Sequence, residues 1–94
     1  MDNGEARSVV LWELSRYRAK SYGELVRTLL GKQDTYEIAG PSGIKYQVEI
    51  QAIWDGKPND VLRVMGAIDD GGVRAYAPLS ECFLIGPNGQ FIHE

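Results

Sequence analysis

The only thiol and the only imidazole of this sequence, Cys82 and His93, are the side chains that most readily support nucleophilic catalysis. A hairpin that pairs Gly86 with Gly89 would place Cys82 opposite His93, and a thiol beside an imidazole is the first requirement of a cysteine nucleophile. No third group that would orient the imidazole is identified, and penultimate residues usually fray. We therefore expect a small buried thiol and an exposed tail residue. No catalytic residue is assigned, and the sequence favours a protein that is not an enzyme.

Acidic side chains offer a second kind of chemistry, because Asp69 and Asp70 could bind a hard cation together with Asp55 or Asp60. Adjacent residues in a tight turn point apart, however, and aspartates at turns form hydrogen bonds with their own backbone. We expect these carboxylates to be solvated and predict no metal ligand. The glycine pairs at 40 and 43, 71 and 72, and 86 and 89 lack the GK[ST] ending of a phosphate loop, so no cofactor is predicted either.

Charge is unevenly distributed along the chain, whose formal net charge is −3. Residues 1–32 carry six bases and four acids, whereas residues 33–94 carry four bases and nine acids. Only the first third could therefore attract nucleic acid. There Arg16 and Arg18 flank Tyr17, but Glu13 is placed to pair with Arg16 on a solvated helix face. Nucleic-acid binding is not expected.

The length of 94 residues, with 44% hydrophobic and 24% charged residues, is typical of one small folded domain, to which we assign residues 1–94. No apolar run approaches the roughly 20 residues that cross a bilayer, and the first residues are polar and acidic, unlike a signal peptide. A single cysteine excludes an internal disulfide framework. These features predict a soluble cytoplasmic protein without membrane contact.

Two helices are predicted in residues 1–32. The second, at about 22–30, has an apolar stripe, a capping-box pattern in Ser21 and Glu24, and Gly31 as its stop. The first begins after Asp2 and ends at about 18–20, where basic residues suit the helix dipole. Its buried face is assigned to Val10, Leu14 and Tyr17, widened by Leu11 and Trp12.

From residue 35 onward the hydrophobic period changes to two, which is typical of a half-buried strand. The clearest alternation runs from Ile44 to Trp54, and turn residues separate further strand candidates at about 35–38, 61–69, 72–77, 83–85 and 90–93. We therefore predict an α+β fold. Two N-terminal helices, residues 1–32, pack on one face of a curved antiparallel meander of about five strands, residues 33–94.

Register in this sheet is predicted from Asp70 and Gly71, a favoured two-residue hairpin turn. The pairs that follow from it are Gly66 with Ala75, Ala67 with Arg74, and Met65 with Tyr76. Directly opposed residues share a face, so the buried face of this strand contains Leu62, Val64, Gly66 and Ile68. If Trp54 faces Leu62, then Ile50 faces Gly66. The missing side chain of Gly66 leaves a notch, which a large side chain such as Trp12 or Trp54 would fill.

The opposite face of the predicted sheet is only partly polar, and it is our candidate interface. Its members are Ile53, Val61, Met65, Arg74 and Tyr76. A contiguous apolar patch of this kind often marks a contact site, and Glu49, Arg63 and Arg74 are placed to pair across a two-fold axis. The expected partner is a second copy of the chain or another protein.

The leading functional hypothesis is therefore a non-catalytic protein-interaction domain. One alternative is a small-molecule-binding protein or small enzyme with a pocket between helices and sheet, near Gly66. Another is an acidic immunity-type protein that neutralises a basic toxin, because the acidic part of the chain would complement such a partner.

Overall fold

The computed structural model describes residues 1–72 and 78–92 and contains two helices followed by five strands. The elements are α1 (Asn3–Arg18), α2 (Tyr22–Leu29), β1 (Gln33–Ala39), β2 (Lys45–Trp54), β3 (Leu62–Asp69), β4 (Leu79–Ile85) and β5 (Phe91–Ile92). All neighbouring strands are antiparallel, and their order in the sheet is β1-β2-β3-β4-β5. The predicted α+β fold with N-terminal helices is confirmed, and the sheet is open, with β1 and β5 at its edges.

Helix α1 begins where the Asp2 carboxylate accepts a hydrogen bond from the Glu5 N–H at 3.0 Å. Val10 and Leu14 are buried against the sheet, as predicted, but Leu11 and Trp12 are 46% and 68% exposed. The expectation that these two residues widen the buried face is wrong. At about 100° per residue they point roughly 100° and 200° away from Val10 around the helix axis, so they lie outside the stripe that contacts the sheet.

Helix α2 follows its sequence signals closely. The Ser21 hydroxyl accepts a hydrogen bond from the Glu24 N–H at 3.1 Å, which caps the first turn. Gly31, just after the helix, has a φ of +73°, a conformation that glycine adopts without strain. The buried Leu25 and Leu29 join the core. The predicted helix and both of its termini are confirmed within one residue.

The notch at Gly66 is real, but its occupant differs from the prediction. β2 and β3 pair Trp54 with Leu62 and Ile50 with Gly66, as expected. A Cβ atom on Gly66 would lie 2.9 Å from Val10 Cγ2 and 3.2 Å from Leu14 Cγ. Two aliphatic side chains of α1 therefore fill the space that was assigned to a tryptophan. The reason is that α1 presents its Val10 and Leu14 stripe to β3, which turns Trp12 outward.

The predicted register on the other side of β3 is wrong. β3 pairs with β4, which sets Gly66 opposite Glu81 and Met65 opposite Cys82. Because β4 begins at Leu79, Asp70 and Gly71 do not form a two-residue hairpin between β3 and β4. The strand candidate at 72–77, with its predicted pairs for Arg74, Ala75 and Tyr76, lies outside the described residues.

The last hairpin is also shifted by one residue from its prediction. The Gly86 N–H donates to the Gln90 carbonyl at 2.8 Å, so Gly86 pairs with Gln90 rather than with Gly89. Beyond it, Leu84 lies opposite Ile92. The pairing of Cys82 with His93 that the predicted hairpin would create lies outside the described residues, because His93 does.

Candidate interaction face

The face of the sheet opposite α1 and α2 is here called the helix-free face. Side chains alternate along a strand, so the residues of β3 that lie between its buried residues point to the helix-free face. The strand pairing then shows which residues of the other strands lie on the same face. Its central residues are Ile53, Val61, Arg63, Met65, Ala67, Cys82, Leu84 and Ile92. No helix in residues 1–72 or 78–92 covers it.

Apolar side chains are contiguous across this face. Ile53 lies opposite Arg63, which lies opposite Leu84, which lies opposite Ile92. One row further along β3 is Met65, with Cys82 as its β4 partner. Ile53 is 46% exposed, and Leu84 and Ile92 are half-buried. Four strands therefore contribute to a single surface of aliphatic and sulfur-containing side chains.

The positively charged guanidinium of Arg63 lies within this surface. The Arg63 guanidinium donates to the Asp55 carboxylate from both Nε, at 2.9 Å, and Nη2. These hydrogen bonds and the charge of Asp55 raise the pKa of Arg63. Nη1 of the same guanidinium lies 3.7 Å from Cys82 Sγ. Bound on two sides, and ion-paired with Asp55, Arg63 is held in one orientation over the sheet.

The five residues predicted as an interface meet different outcomes. Ile53, Val61 and Met65 lie on the helix-free face, with Val61 accepting the Asp55 N–H at 2.8 Å just before β3. Arg74 and Tyr76 lie outside the described residues. The structure adds members that the sequence argument missed, namely Leu84, Ile92 and Cys82. Their alternation with Phe83 and Ile85 was visible in the sequence, but β3 had been given the wrong neighbour.

Residues considered for chemistry are not brought together in the described ranges. The carboxylates of Asp69 and Asp70 accept hydrogen bonds from the N–H groups of Gly71 and Gly72, at 2.8 and 3.1 Å. Cys82 is exposed, which corrects the expectation of a buried thiol. Among residues 1–72 and 78–92, no three His, Cys, Asp or Glu side chains are grouped so that they could hold a metal ion.

A second polar cluster lies between α1 and β1. Glu13 is only 1% exposed and accepts hydrogen bonds from the Tyr36 hydroxyl at 2.7 Å and from Arg16 at 2.8 Å. Its predicted pairing with Arg16 is present, but its predicted place on a solvated helix face is wrong, because Tyr36 offers it a donor inside the fold. Beside it, the Tyr17 hydroxyl donates to Asp34 at 2.7 Å.

These tyrosines act as donors rather than as bases. Burial and the bond to Asp34 raise the pKa of Tyr17 to about 12. Burial and the bond to Glu13 likewise raise the pKa of Tyr36. Both hydroxyls therefore keep their protons at neutral pH, and the cluster serves to satisfy a buried carboxylate.

Comparison with known proteins gives no function for this chain. No family model, no curated protein and no solved structure matches this chain. In the described residues, neither helix has the length and apolar character needed to span a membrane. The function proposed below is therefore based on the helix-free face.

Proposed function

We propose that this chain is a non-catalytic, cytoplasmic protein-interaction domain that forms a two-fold dimer through its helix-free face. The observation that carries the proposal is the row in which Ile53, Leu84 and Ile92 surround Arg63, with Met65 in the next row. A sheet with helices on one side only leaves its other side to be covered by something else. Contiguous apolar patches rimmed by polar residues are typical of protein contacts.

A second copy is favoured as the partner because this face is self-complementary in charge. The row of Met65 and Gln51 lies between the row that contains Arg63 and the row that contains Glu49 and Ala67. A two-fold axis along the middle row would lay the arginine row of one copy over the glutamate row of the other, with Arg63 over Ala67 and about 5 Å, one strand, to the side of Glu49. Two sheets that pack face to face in this way are separated by about 10 Å, which aliphatic side chains fill.

The packing at Gly66 leaves no room for the ligand pocket of the alternative function at that position. Val10 and Leu14 occupy the space at Gly66, where the alternative function placed its pocket. The acidic immunity-type function stays a prediction from the distribution of charge along the sequence.

Sedimentation velocity at micromolar concentration tests the dimer. We expect a species of twice the 10.4 kDa chain mass, and we expect Ile53→Glu to convert it to a monomer, because the charge would be buried in the interface. Leu11→Glu is the matched control, since Leu11 is also 46% exposed but lies on α1. A monomeric native chain, or a dimer that persists in a folded Ile53→Glu variant, would contradict the proposal.

A further inference from the structure

Strand β1 is an edge strand whose outer side carries unpaired backbone groups. The Gly40 N–H donates to the Ile44 carbonyl at 2.8 Å, which fixes the alternation of bonded and non-bonded pairs along β1 and β2. Four residues of β1 therefore direct their N–H and C=O groups away from the sheet: Gln33, Thr35, Glu37 and Ala39. In the described part of the chain, no residue donates to or accepts from these groups.

This edge has few of the features with which proteins protect exposed strands. Such edges are usually short, or carry a proline, a lysine or a bulge. β1 is seven residues long, contains no proline or lysine, and pairs with β2 without interruption from Gln33 to Ala39. Its protective features are two acidic side chains: the inward-facing Asp34, whose carboxylate is satisfied by the Tyr17 hydroxyl, and Glu37 on the opposite side of the strand. The unpaired backbone groups of this edge are thus available to pair with another strand.

An apolar groove lies directly beside this edge, between α1 and β1. It has a volume of about 270 Å³ and is lined by Ser8, Val9, Trp12, Ile38, Ala39 and Pro41. Trp12 is 68% exposed, and tryptophan is over-represented among the residues that dominate binding energy at interfaces. A strand added to β1 would place an inward-facing side chain next to Ile38, within reach of this groove.

The charge of β1 determines which kind of strand would pair with its free edge. β1 carries Asp34 and Glu37 and no base. Within residues 1–72 and 78–92 neither carboxylate is in an ion pair; Asp34 accepts from Tyr17, and Glu37 accepts from Gln47 at 3.1 Å. The β1 strand of a second copy would carry the same two negative charges and no base, whereas a basic strand would be attracted.

We propose that the β1 edge and the Trp12 groove bind an extended segment of a different protein by strand addition. In that segment basic side chains alternate with apolar ones. Backbone hydrogen bonds to the four outward-facing residues provide affinity. The groove beside Ile38 selects apolar side chains on the α1 side of the added strand, and Glu37, on the opposite side of β1, selects basic ones. This surface is separate from the helix-free face, so the inference does not depend on the dimer.

The probe is a capped seven-residue peptide of alternating lysine and valine with a fluorescent label, followed by anisotropy. We expect saturable binding of this peptide. We expect no binding of a glutamate–valine peptide, whose charge is wrong, or of a lysine–proline peptide, which has the same charge but cannot form a strand. Binding of either control peptide as tightly as the lysine–valine peptide would overturn the proposal, as would an absence of lysine–valine binding up to about 1 mM.

Two pairs of variants locate the binding site. Thr35→Pro removes an outward N–H without touching the bonds to β2, and Thr35→Val keeps that N–H. Trp12→Ala truncates the groove, and Leu11→Ala truncates an exposed neighbour on α1. We expect the first member of each pair to bind about tenfold more weakly or worse, and each control to bind within about twofold of the native chain.

Circular dichroism must show that each variant is folded. Undiminished peptide binding by folded Thr35→Pro would overturn strand addition, and undiminished binding by Trp12→Ala would remove the groove from the site. Self-association that Thr35→Pro abolishes would show that a second copy occupies the edge, which would also overturn the proposal.

Discussion

Two carboxylates of α1 accept hydroxyl hydrogen bonds from the sheet and from the turn between β1 and β2. Glu5 accepts from Tyr46 and from Ser42, both at 2.7 Å, and Glu13 accepts from Tyr36 at the same distance. These glutamates are eight residues apart, or about 12 Å along the helix. Hydrogen bonds from Ser42 and Tyr46 lower the pKa of Glu5. Polar contacts therefore hold α1 to β1 and β2 near both of its ends, outside the aliphatic stripe.

The lowered pKa of Glu5 predicts a pH-dependent contribution to stability. A carboxyl group whose folded pKa lies below its ordinary value of 4.5 stabilises the fold above that pH, and the contribution is lost as the pH falls through the folded pKa. Glu5→Gln should therefore lower the free energy of unfolding at pH 7 and change it little at about pH 3. Urea unfolding at the two pH values measures this. Ser42→Ala should reduce the same pH dependence, and an equal effect of Glu5→Gln at both pH values would refute the assignment.

The close approach of α1 to Gly66 predicts that a side chain there is costly. Gly66→Val should lower the free energy of unfolding by about 1–3 kcal/mol, because its side chain would overlap Val10 and Leu14. Gly23→Ala is the control, since a Cβ atom on Gly23 meets nothing within 4 Å and alanine favours the helix. It should leave stability unchanged or raise it. An unchanged melting temperature for Gly66→Val would show that the notch is looser than these distances indicate.

At the scale of elements, local signals were sufficient for α2, β2 and β3. The Ser21 cap, the Gly31 stop and the period of two from Ile44 to Trp54 each act within a few residues, so the sequence alone could locate these elements. The strand that pairs with β3 could not be located from local signals. Asp70 and Gly71 suit a tight hairpin, yet the strand that pairs with β3 is the one that brings Phe83 and Ile85 into the core.

The pairing of β3 with β4 depends on packing between residues far apart in sequence, and a prediction based on turn residues does not take such packing into account. The outward turn of Trp12 has the same origin. The spacing of apolar residues on α1 allows several faces, and contact with β3 selects the one through Ala6, Val10 and Leu14. The buried position of Glu13 could not be predicted either, because it depends on a hydroxyl from β1. The candidate face was therefore only partly predictable, through Ile53, Val61 and Met65.

The link between α1 and β1 predicts energetic coupling between Glu13 and Tyr36. Tyr36→Phe leaves the buried Glu13 carboxylate with one donor fewer and should cost about 1–3 kcal/mol in the free energy of unfolding. Once Glu13→Gln has removed the charge, the same tyrosine change should cost less. A double-mutant cycle measured by urea unfolding gives the coupling, for which we expect more than about 0.5 kcal/mol. Additive effects would show that the hydrogen bond is not important for stability.

At the scale of the whole molecule, the two proposed surfaces differ in position and in chemistry. In residues 1–72 and 78–92, the helices and the inner side of the sheet share one cluster of buried apolar residues, and this core lies on the helix side of the sheet. The helix-free face is apolar with a fixed arginine, which suits a self-complementary contact. The β1 edge is acidic and offers backbone groups, which suits a basic strand. A molecule with both surfaces could dimerise and still bind a second partner at each outer edge.

Coupling between folding and dimerisation provides the last prediction. If the dimer dissociates when the chain unfolds, mass action makes the melting temperature rise with protein concentration. For a chain of this length we expect an increase of roughly 5–10 °C over a 100-fold range of concentration above the dissociation constant. Differential scanning fluorimetry on Ile53→Glu should show no such dependence, because that variant unfolds as a monomer, whereas Leu11→Glu should retain it. A melting temperature of the native chain that stays constant over this range would argue against a dimer in which folding and association are linked.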